Sequence, residues 1–377
     1  MKKFILIPDS FKGSMSSQQI CSIMEKEIIK HYSNAIIKSL PVADGGEGSV
    51  DSFLTARGGD KISLEVTGPH FEKIESFYGI FDNAKAIIEM ASCAGLPLVK
   101  DKKRPDLTTT YGVGELILDA AQKGCKEIIV GLGGSATNDG GAGAAAAVGV
   151  RFINRQGKSF IPTGGTLSQI DSIDFSQKNP LLKDVDIVTM CDIDNPLLGK
   201  NGAATIFAPQ KGADVPMVEL LENEMNHFAK VVKEYLGNDF EELPGSGAAG
   251  AMGFGMVSFF NSTLKMGIEV VLDTLKFDEL LDGASMVLTG EGKIDLQSLR
   301  GKAVIGIAKR TQKFGVPLVA IVGDIGDSIE EAYSAGIWGI FSINRVAKNF
   351  SEVIDRAPRD MALTVDNLLG FLKRMGF

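Results

Sequence analysis

Short apolar runs, each followed by a polar loop and then by apolar residues at helical spacing, mark both ends of the chain. Phe4–Pro8 reads as a buried strand, and Ser16 with Gln19 has the spacing of a capping box. That box opens a helix with Ile20, Ile23, Met24 and Ile28 on one face. A second strand is predicted over Ala35–Val42, followed by Ala43-Asp44-Gly45-Gly46-Glu47-Gly48 and a helix bearing Val50, Phe53 and Leu54. Near the other end, strands are predicted at Ser285–Thr289, Pro317–Val322 and Trp338–Ile343, separated by helices Ala303–Phe314 and Ile329–Ala335. This β-α-β-α-β order is the grammar of a parallel sheet. Met361, Val365, Leu368, Leu369 and Leu372 form the stripe of a terminal helix expected to dock on it.

The middle of the chain is patterned differently. Lys61–Thr67 and Lys73–Phe81 read as antiparallel strands, followed by Lys85–Met90, a helix over Tyr111–Lys123 and strands at Glu127–Gly131 and Ile187–Cys191. Val215–Leu236 is a long amphipathic helix, and Pro244–Gly255 is rich in glycine. The predicted fold class is α/β. A Rossmann-like parallel-sheet domain is formed from both chain ends, residues 1–65 and 285–377, with a second, mixed α/β domain inserted over residues 66–284. No fixed-period repeat is present.

Composition sharpens this picture at one point. Glycine accounts for 44 of 377 residues, well above the usual level of roughly 7%. Such glycines are either flexible filler or places where a Cβ cannot be tolerated. The net charge of −8 and the lack of any dense Lys/Arg block disfavour nucleic acid as a partner. The apolar run at the start is broken by Asp9, and the Ala/Gly-rich stretch 140–150 is about half the length of a membrane span, so no membrane partner is expected. Cys21, Cys93, Cys125 and Cys191 lie far apart, which suits buried thiols in a reducing, cytoplasmic setting. His31, His70 and His227 have no ligand spacing, which argues against a zinc site or a Ser-His-Asp triad. Nothing fixes an oligomeric state.

In parallel α/β sheets ligands gather beyond the carboxyl ends of the strands. Five loops there are unusually polar: Asp9-Ser10-Phe11-Lys12-Gly13, Asp44-Gly45-Gly46-Glu47-Gly48, Gly133-Gly134-Ser135-Ala136-Thr137-Asn138-Asp139-Gly140-Gly141, Cys191-Asp192-Ile193-Asp194-Asn195-Pro196 and Thr289-Gly290-Glu291-Gly292-Lys293-Ile294-Asp295. Any one of them could be a capped turn. Together, glycines beside carboxylates, hydroxyls and single lysines suit a site for phosphate and Mg²⁺. The loop over 131–143 leads into a helix-forming run and contains no P-loop signature. Gly131-x-Gly133-x-x-Ala136 and Gly245-x-Gly247-x-x-Gly250 match the loose dinucleotide fingerprint, but the first has no ribose-binding acid at the right distance and no clear strand precedes the second. Phosphoryl transfer requires a base for the acceptor hydroxyl and cations for the phosphate. Asp192 and Asp194, two apart in extended backbone, point to opposite faces, so one of them at most faces a substrate. Glu291 and Asp295 either share a metal or flank a turn. Cys191, on an apolar strand, reads as core.

Taken together, Pro8-Asp9-Ser10-Phe11-Lys12-Gly13, Pro41-Val-Ala-Asp44-Gly-Gly-Glu47-Gly48, Gly131-Leu-Gly-Gly-Ser-Ala-Thr-Asn-Asp-Gly-Gly141, Cys191-Asp-Ile-Asp-Asn-Pro196, Pro209-Gln-Lys-Gly-Ala213 and Thr289-Gly-Glu-Gly-Lys-Ile-Asp295 resemble the bacterial glycerate kinase family of the two-domain type. The chain carries Thr109-Thr110 where the family usually has Thr-Ser, which keeps the hydroxyl. The resemblance implies ATP-dependent phosphorylation of D-glycerate with Mg²⁺, giving 2- or 3-phosphoglycerate, with the active site in the cleft between the two domains. Mapped onto matching positions, it implies Asp192 as leading candidate for the base, with Asp194 as alternate and Lys12 beside them. Asp9, Ser10, Asp44, Glu47 and Lys293 would contact the substrate. Gly133, Gly134, Ser135, Thr137 and Asn138 would contact the nucleotide, and Glu291 and Asp295 a metal or the acceptor. The rival readings are a kinase of another small hydroxy acid, a nicotinamide-dependent hydroxy-acid dehydrogenase and a non-catalytic nucleotide sensor.

Overall fold

The computed structural model describes all residues except 43–44, 296–297, 299–302 and 347–348. It divides the chain into two compact units, Met1–Asp44 with Gly267–Phe377, and Gly45–Met266.

The first unit is built on a five-stranded, wholly parallel sheet. Across the sheet the strands lie in the order Ile36–Ser39, Lys3–Pro8, Met286–Gly290, Leu318–Val322 and Ile337–Ser342. Numbered by their place in this unit's sequence they run 2-1-3-4-5, a doubly wound order that reverses direction between Lys3–Pro8 and Met286–Gly290. The capping box forms as read: Ser16 Oγ accepts from the Gln19 N–H at 3.2 Å, and Gln19 Oε1 accepts from the Ser16 N–H at 2.9 Å. The helix it opens, Ser17–His31, buries Ile20, Met24 and Ile28 on the same side of the sheet as the terminal helix Ala357–Arg374, whose Met361, Val365, Leu368 and Leu369 join Phe4 and Leu6 in one core.

The units meet in sequence at 44/45 and 266/267, whereas the sequence pattern drew the joins at 65/66 and 284/285. The reasons lie in pairing. Asp60–Thr67 is antiparallel to Lys73–Phe81 and so belongs to the second unit's sheet. The helix Gly267–Thr274 is tied to the first unit by Arg310, which donates to Glu269 at 2.6 Å, Asp273 at 2.5 Å and Asp278 at 3.1 Å.

The second unit contains a six-stranded mixed sheet in the order Thr263–Lys265, Asp186–Met190, Glu127–Gly131, Lys85–Glu89, Lys73–Phe81 and Asp60–Thr67. The first four strands are parallel, and the last two join antiparallel. A separate three-stranded antiparallel sheet joins Ser159–Phe160, Arg151–Asn154 and Ile170–Asp174. The long helix runs Val215–Leu236 as read, because Asp214 caps the Met217 N–H at 3.0 Å and Gly237, at φ 71°, turns the chain away.

The glycine-rich stretch, by contrast, enters a helix over Ala248–Phe260. It does so through three consecutive left-handed residues, Ala249, Gly250 and Ala251, at φ 57°, 70° and 66°. A left-handed alanine costs about 1–2 kcal/mol, so the surrounding contacts impose this turn. Among the described residues no helix is long and apolar enough to cross a membrane.

Candidate active site

In the first unit, the reversal of strand order is the place where a doubly wound sheet opens a crevice beyond its carboxyl ends. Pro8 and Gly290 are register partners there, and the two loops that leave them, residues 9–14 and 291–295, flank that point. The Asp9 N–H donates to the Gly290 carbonyl at 2.8 Å, which starts the first loop, and Asp9 Oδ1 accepts from the Ser10 N–H at 2.6 Å. Phe11 then turns inward to the core, bridging to Met15, so that Ser10 is left half-buried and Lys12 exposed on either side of it. Phe11 is thus the anchor that holds the polar residues at the surface. The second loop is braced from the next strand: the Gly323 and Asp324 N–H groups donate to the Glu291 and Gly292 carbonyls, each at 3.1 Å. Glu291 is buried, Lys293 exposed and Asp295 half-buried, with Asp295 Oδ1 accepting from the Ser298 N–H at 3.3 Å.

In the second unit, Glu89, Gly131, Met190 and Lys265 are register partners at the ends of four adjacent parallel strands. Three of the five polar loops meet at this edge. Gly131 lies so close to the Gly45 carbonyl that a Cβ could not be placed, and a Cβ on Gly133 would stand 2.5 Å from the Gly46 Cα. The Gly133 N–H donates to Gly45 at 3.2 Å, and Leu132 to Met190 at 3.4 Å. Glycine here is close-packed backbone rather than flexible filler.

Helix Ser49–Arg57 begins at Gly48, at φ 90°, with no side-chain cap of its own; Glu89 reaches across to accept from the Val50 N–H at 2.6 Å. Burial raises the Glu89 pKa, and the Val50 and Gly48 N–H groups draw it back. Nothing in the sequence marked Glu89, because its partner is 39 residues away.

The glycine loop itself is graded in depth. Gly134 is exposed and Gly133 half-buried, Ser135 is buried, and Thr137 and Asn138 are completely buried. In the neighbouring loop Asp192 is half-buried and Asp194 exposed, while the backbone is held by Gly247 N–H donating to the Asn195 carbonyl at 3.1 Å. Burial pushes the Cys191 thiol up to about 11, consistent with core and not a nucleophile. Glu47 is exposed beside Gly46, and Asp44 lies outside the described residues. The second fingerprint match also has a packing explanation: a Cβ on Gly245 would meet Cys191 Sγ at 2.8 Å, and Gly250 is pressed on Thr137 and Asn138.

Among the described residues no group of three or more His, Cys, Asp or Glu side chains could hold a metal ion. The described residues alone therefore form no dedicated protein cage. Carboxylates such as Glu291 and Asp295 would suit Mg²⁺ only where a ligand's phosphates supplied the remaining oxygens.

The sequence matches the profile of the Glycerate kinase family over residues 4–373, a span that contains every loop described above. The chain belongs to this family. A glycerate kinase of Bacillus cereus is 43% identical over 373 residues, covering 98% of each chain. A protein of Escherichia coli named glycerate 2-kinase is 41% identical over 372 residues, covering 96% of this chain and 98% of its own. Among solved structures, a putative glycerate kinase 2 from Salmonella typhimurium superposes with a TM-score of 0.89 at 36% identity, covering 100% of this chain and 99% of that one. These relatives bear out the glycerate kinase resemblance and the α/β class.

Proposed function

We propose that the chain transfers the γ-phosphoryl group of ATP to the 2-hydroxyl of D-glycerate, in the cytoplasm, with Mg²⁺ carried on the ATP phosphates. The observation that carries this reading is the family match running through all the polar strand-end loops. The choice of the 2-hydroxyl is supported by the E. coli relative, a glycerate 2-kinase by name, and the cytoplasm by four buried free thiols.

Asp192 is the base, with Asp194 the alternate. Its carboxylate takes the hydroxyl proton as the oxygen attacks the γ-phosphorus and the bond to the bridging oxygen of ADP breaks. Lys12, Asp9, Ser10, Glu47 and Lys293 hold the glycerate carboxylate and hydroxyls, together with Asp44. The backbone and side chains of Gly133, Gly134, Ser135, Thr137 and Asn138 take the nucleotide phosphates, as glycine-rich loops beside short helices do. Glu291 and Asp295 are the carboxylates available to Mg²⁺, which when bound offsets phosphate charge.

The test is ADP release in a coupled assay over a panel of D-glycerate, L-glycerate and other hydroxy acids, with phosphorus NMR of the product. D-Glycerate should be preferred and the product should carry its phosphate on C2. A phosphate on C3 would overturn the regiochemistry, and absence of turnover would overturn the activity. Reduction of NAD by the same acids would instead favour a dehydrogenase.

A further inference from the structure

Pro209–Lys211 form one 3-10 turn, closed by Gly212 at φ 100°, and this turn delivers Lys211 into the interior of the second unit with only 1% of its surface exposed. Among the described residues no other lysine is buried. Its Nζ donates to the Thr137 carbonyl oxygen at 2.7 Å. Gly250 presses on the same carbonyl, leaving no room for a Cβ. Two residues further on, the buried Asp139 carboxylate accepts from Thr110 N–H at 2.7 Å, Thr110 Oγ1 at 2.9 Å, and the Gly141 and Gly143 N–H groups at 3.2 Å each. The loop is therefore fixed at 137 and again at 139. Between these two fixed points stand Thr137 Oγ1 and both amide atoms of Asn138, all buried and none with a hydrogen-bond partner among the described residues. Buried polar atoms are almost always paired, so an unpaired set held rigidly is poised for a group that the chain does not itself supply.

We propose that Lys211 is a positioning residue for phosphoryl transfer. By gripping the Thr137 carbonyl it presents the Thr137 hydroxyl and the Asn138 amide to the nucleotide phosphates in a single orientation. This rests on the reading of the glycine loop as the ATP site. Either the ammonium or the amine can donate this bond, and the Asp139 carboxylate offsets the charge of the former.

The test compares full-length Lys211→Met, Lys211→Gln and the exposed control Lys158→Met by ATP calorimetry, by KM for each substrate and by amide hydrogen exchange over residues 132–141. Lys211→Met should weaken ATP binding at least tenfold and speed exchange across the loop, with the D-glycerate KM within twofold of wild type. Lys211→Gln, which keeps a shorter donor, should lose about three- to fivefold, and the control nothing. Wild-type ATP affinity and exchange in a folded Lys211→Met, or loss of melting temperature with ATP affinity intact, would overturn the proposal. Should Lys211→Met not fold, wild-type values for Lys211→Gln would overturn it alone. If the wild-type protein binds no ATP, the reading of the loop fails and this proposal fails with it, whereas wild-type binding left unchanged by both Lys211 variants removes this proposal only.

Discussion

Gly250→Ala offers a measurable test of how tightly the left-handed turn grips the glycine loop. Gly250 sits at φ 70°, and a Cβ there would lie 2.7 Å from both the Thr137 carbonyl carbon and the Asn138 Cα, with the Thr137 oxygen closer still. These are backbone atoms, which cannot swing aside as a flexible side chain would. Two costs add. The left-handed backbone costs an alanine about 1–2 kcal/mol, of which the lower end is used here, and forcing a methyl into a closed space costs about 1–3 kcal/mol more. Gly157 isolates the first of these: it has φ 74° and nothing within 4 Å of its would-be Cβ. Gly157→Ala should therefore lose about 1 kcal/mol and Gly250→Ala about 3 kcal/mol, or roughly 6–12 °C in Tm for a unit of this size. Urea unfolding followed by circular dichroism gives the free energies, and ADP release gives the activity. Gly250→Ala should also raise the ATP KM, because relief of the clash displaces Thr137 and Asn138, whereas Gly157→Ala should turn over as wild type. Equal losses in the two variants would refute the close approach.

Asp192→Asn should lower kcat by about 10²- to 10⁴-fold while calorimetric ATP affinity stays within a few fold, and near wild-type turnover would pass the role of base to Asp194. Arg310→Met should cost about 1–2 kcal/mol in denaturant unfolding; its three acidic partners are partly exposed, so water screens much of the network. Burial pushes the Lys211 ammonium down to about 7. From there up to the ordinary lysine range near 10.5, the unfolded chain keeps a proton that the native chain has lost, so Lys211 makes stability rise with pH. The stability difference between wild type and Lys211→Met should shift in favour of wild type by up to about 1.4 kcal/mol per pH unit across that window, and a flat difference between pH 7 and 10 would contradict it. Cys191→Ser should leave kcat within twofold, since the thiol is buried and protonated.

Elements that carry their own start and stop signals were legible from the residues alone. The helix Val215–Leu236 has Asp214 before it and Gly237 after it, and the capping box at Ser16 needs only Gln19. The polar strand-end loops were legible for the same reason, since apolar strands point directly at them. What the pattern could not show depends on partners distant in sequence. The left-handed run at Ala249–Ala251 is imposed by the backbone of residues 137–140, against which two alanines give no local hint. Lys211 stands in a motif that carried the family resemblance but no structural reading, and its burial depends on the distant carbonyl of Thr137. Gly267–Thr274 reads as a continuation of the middle segment until Arg310 is seen to bind it.

The interior position of Lys3–Pro8, paired on both edges, has a consequence for the order in which the protein is made. This strand is made well before its second partner, and Ile36–Ser39 soon covers one edge. Its other edge pairs with Met286–Gly290, which at about 5–20 residues per second follows roughly 15–55 s later. In that interval the whole of Gly45–Met266 emerges and can fold as a unit, while an apolar strand edge waits unpaired. A strand made before the second unit is thus completed only after it, and refolding of the first unit should be the slower and more chaperone-dependent of the two.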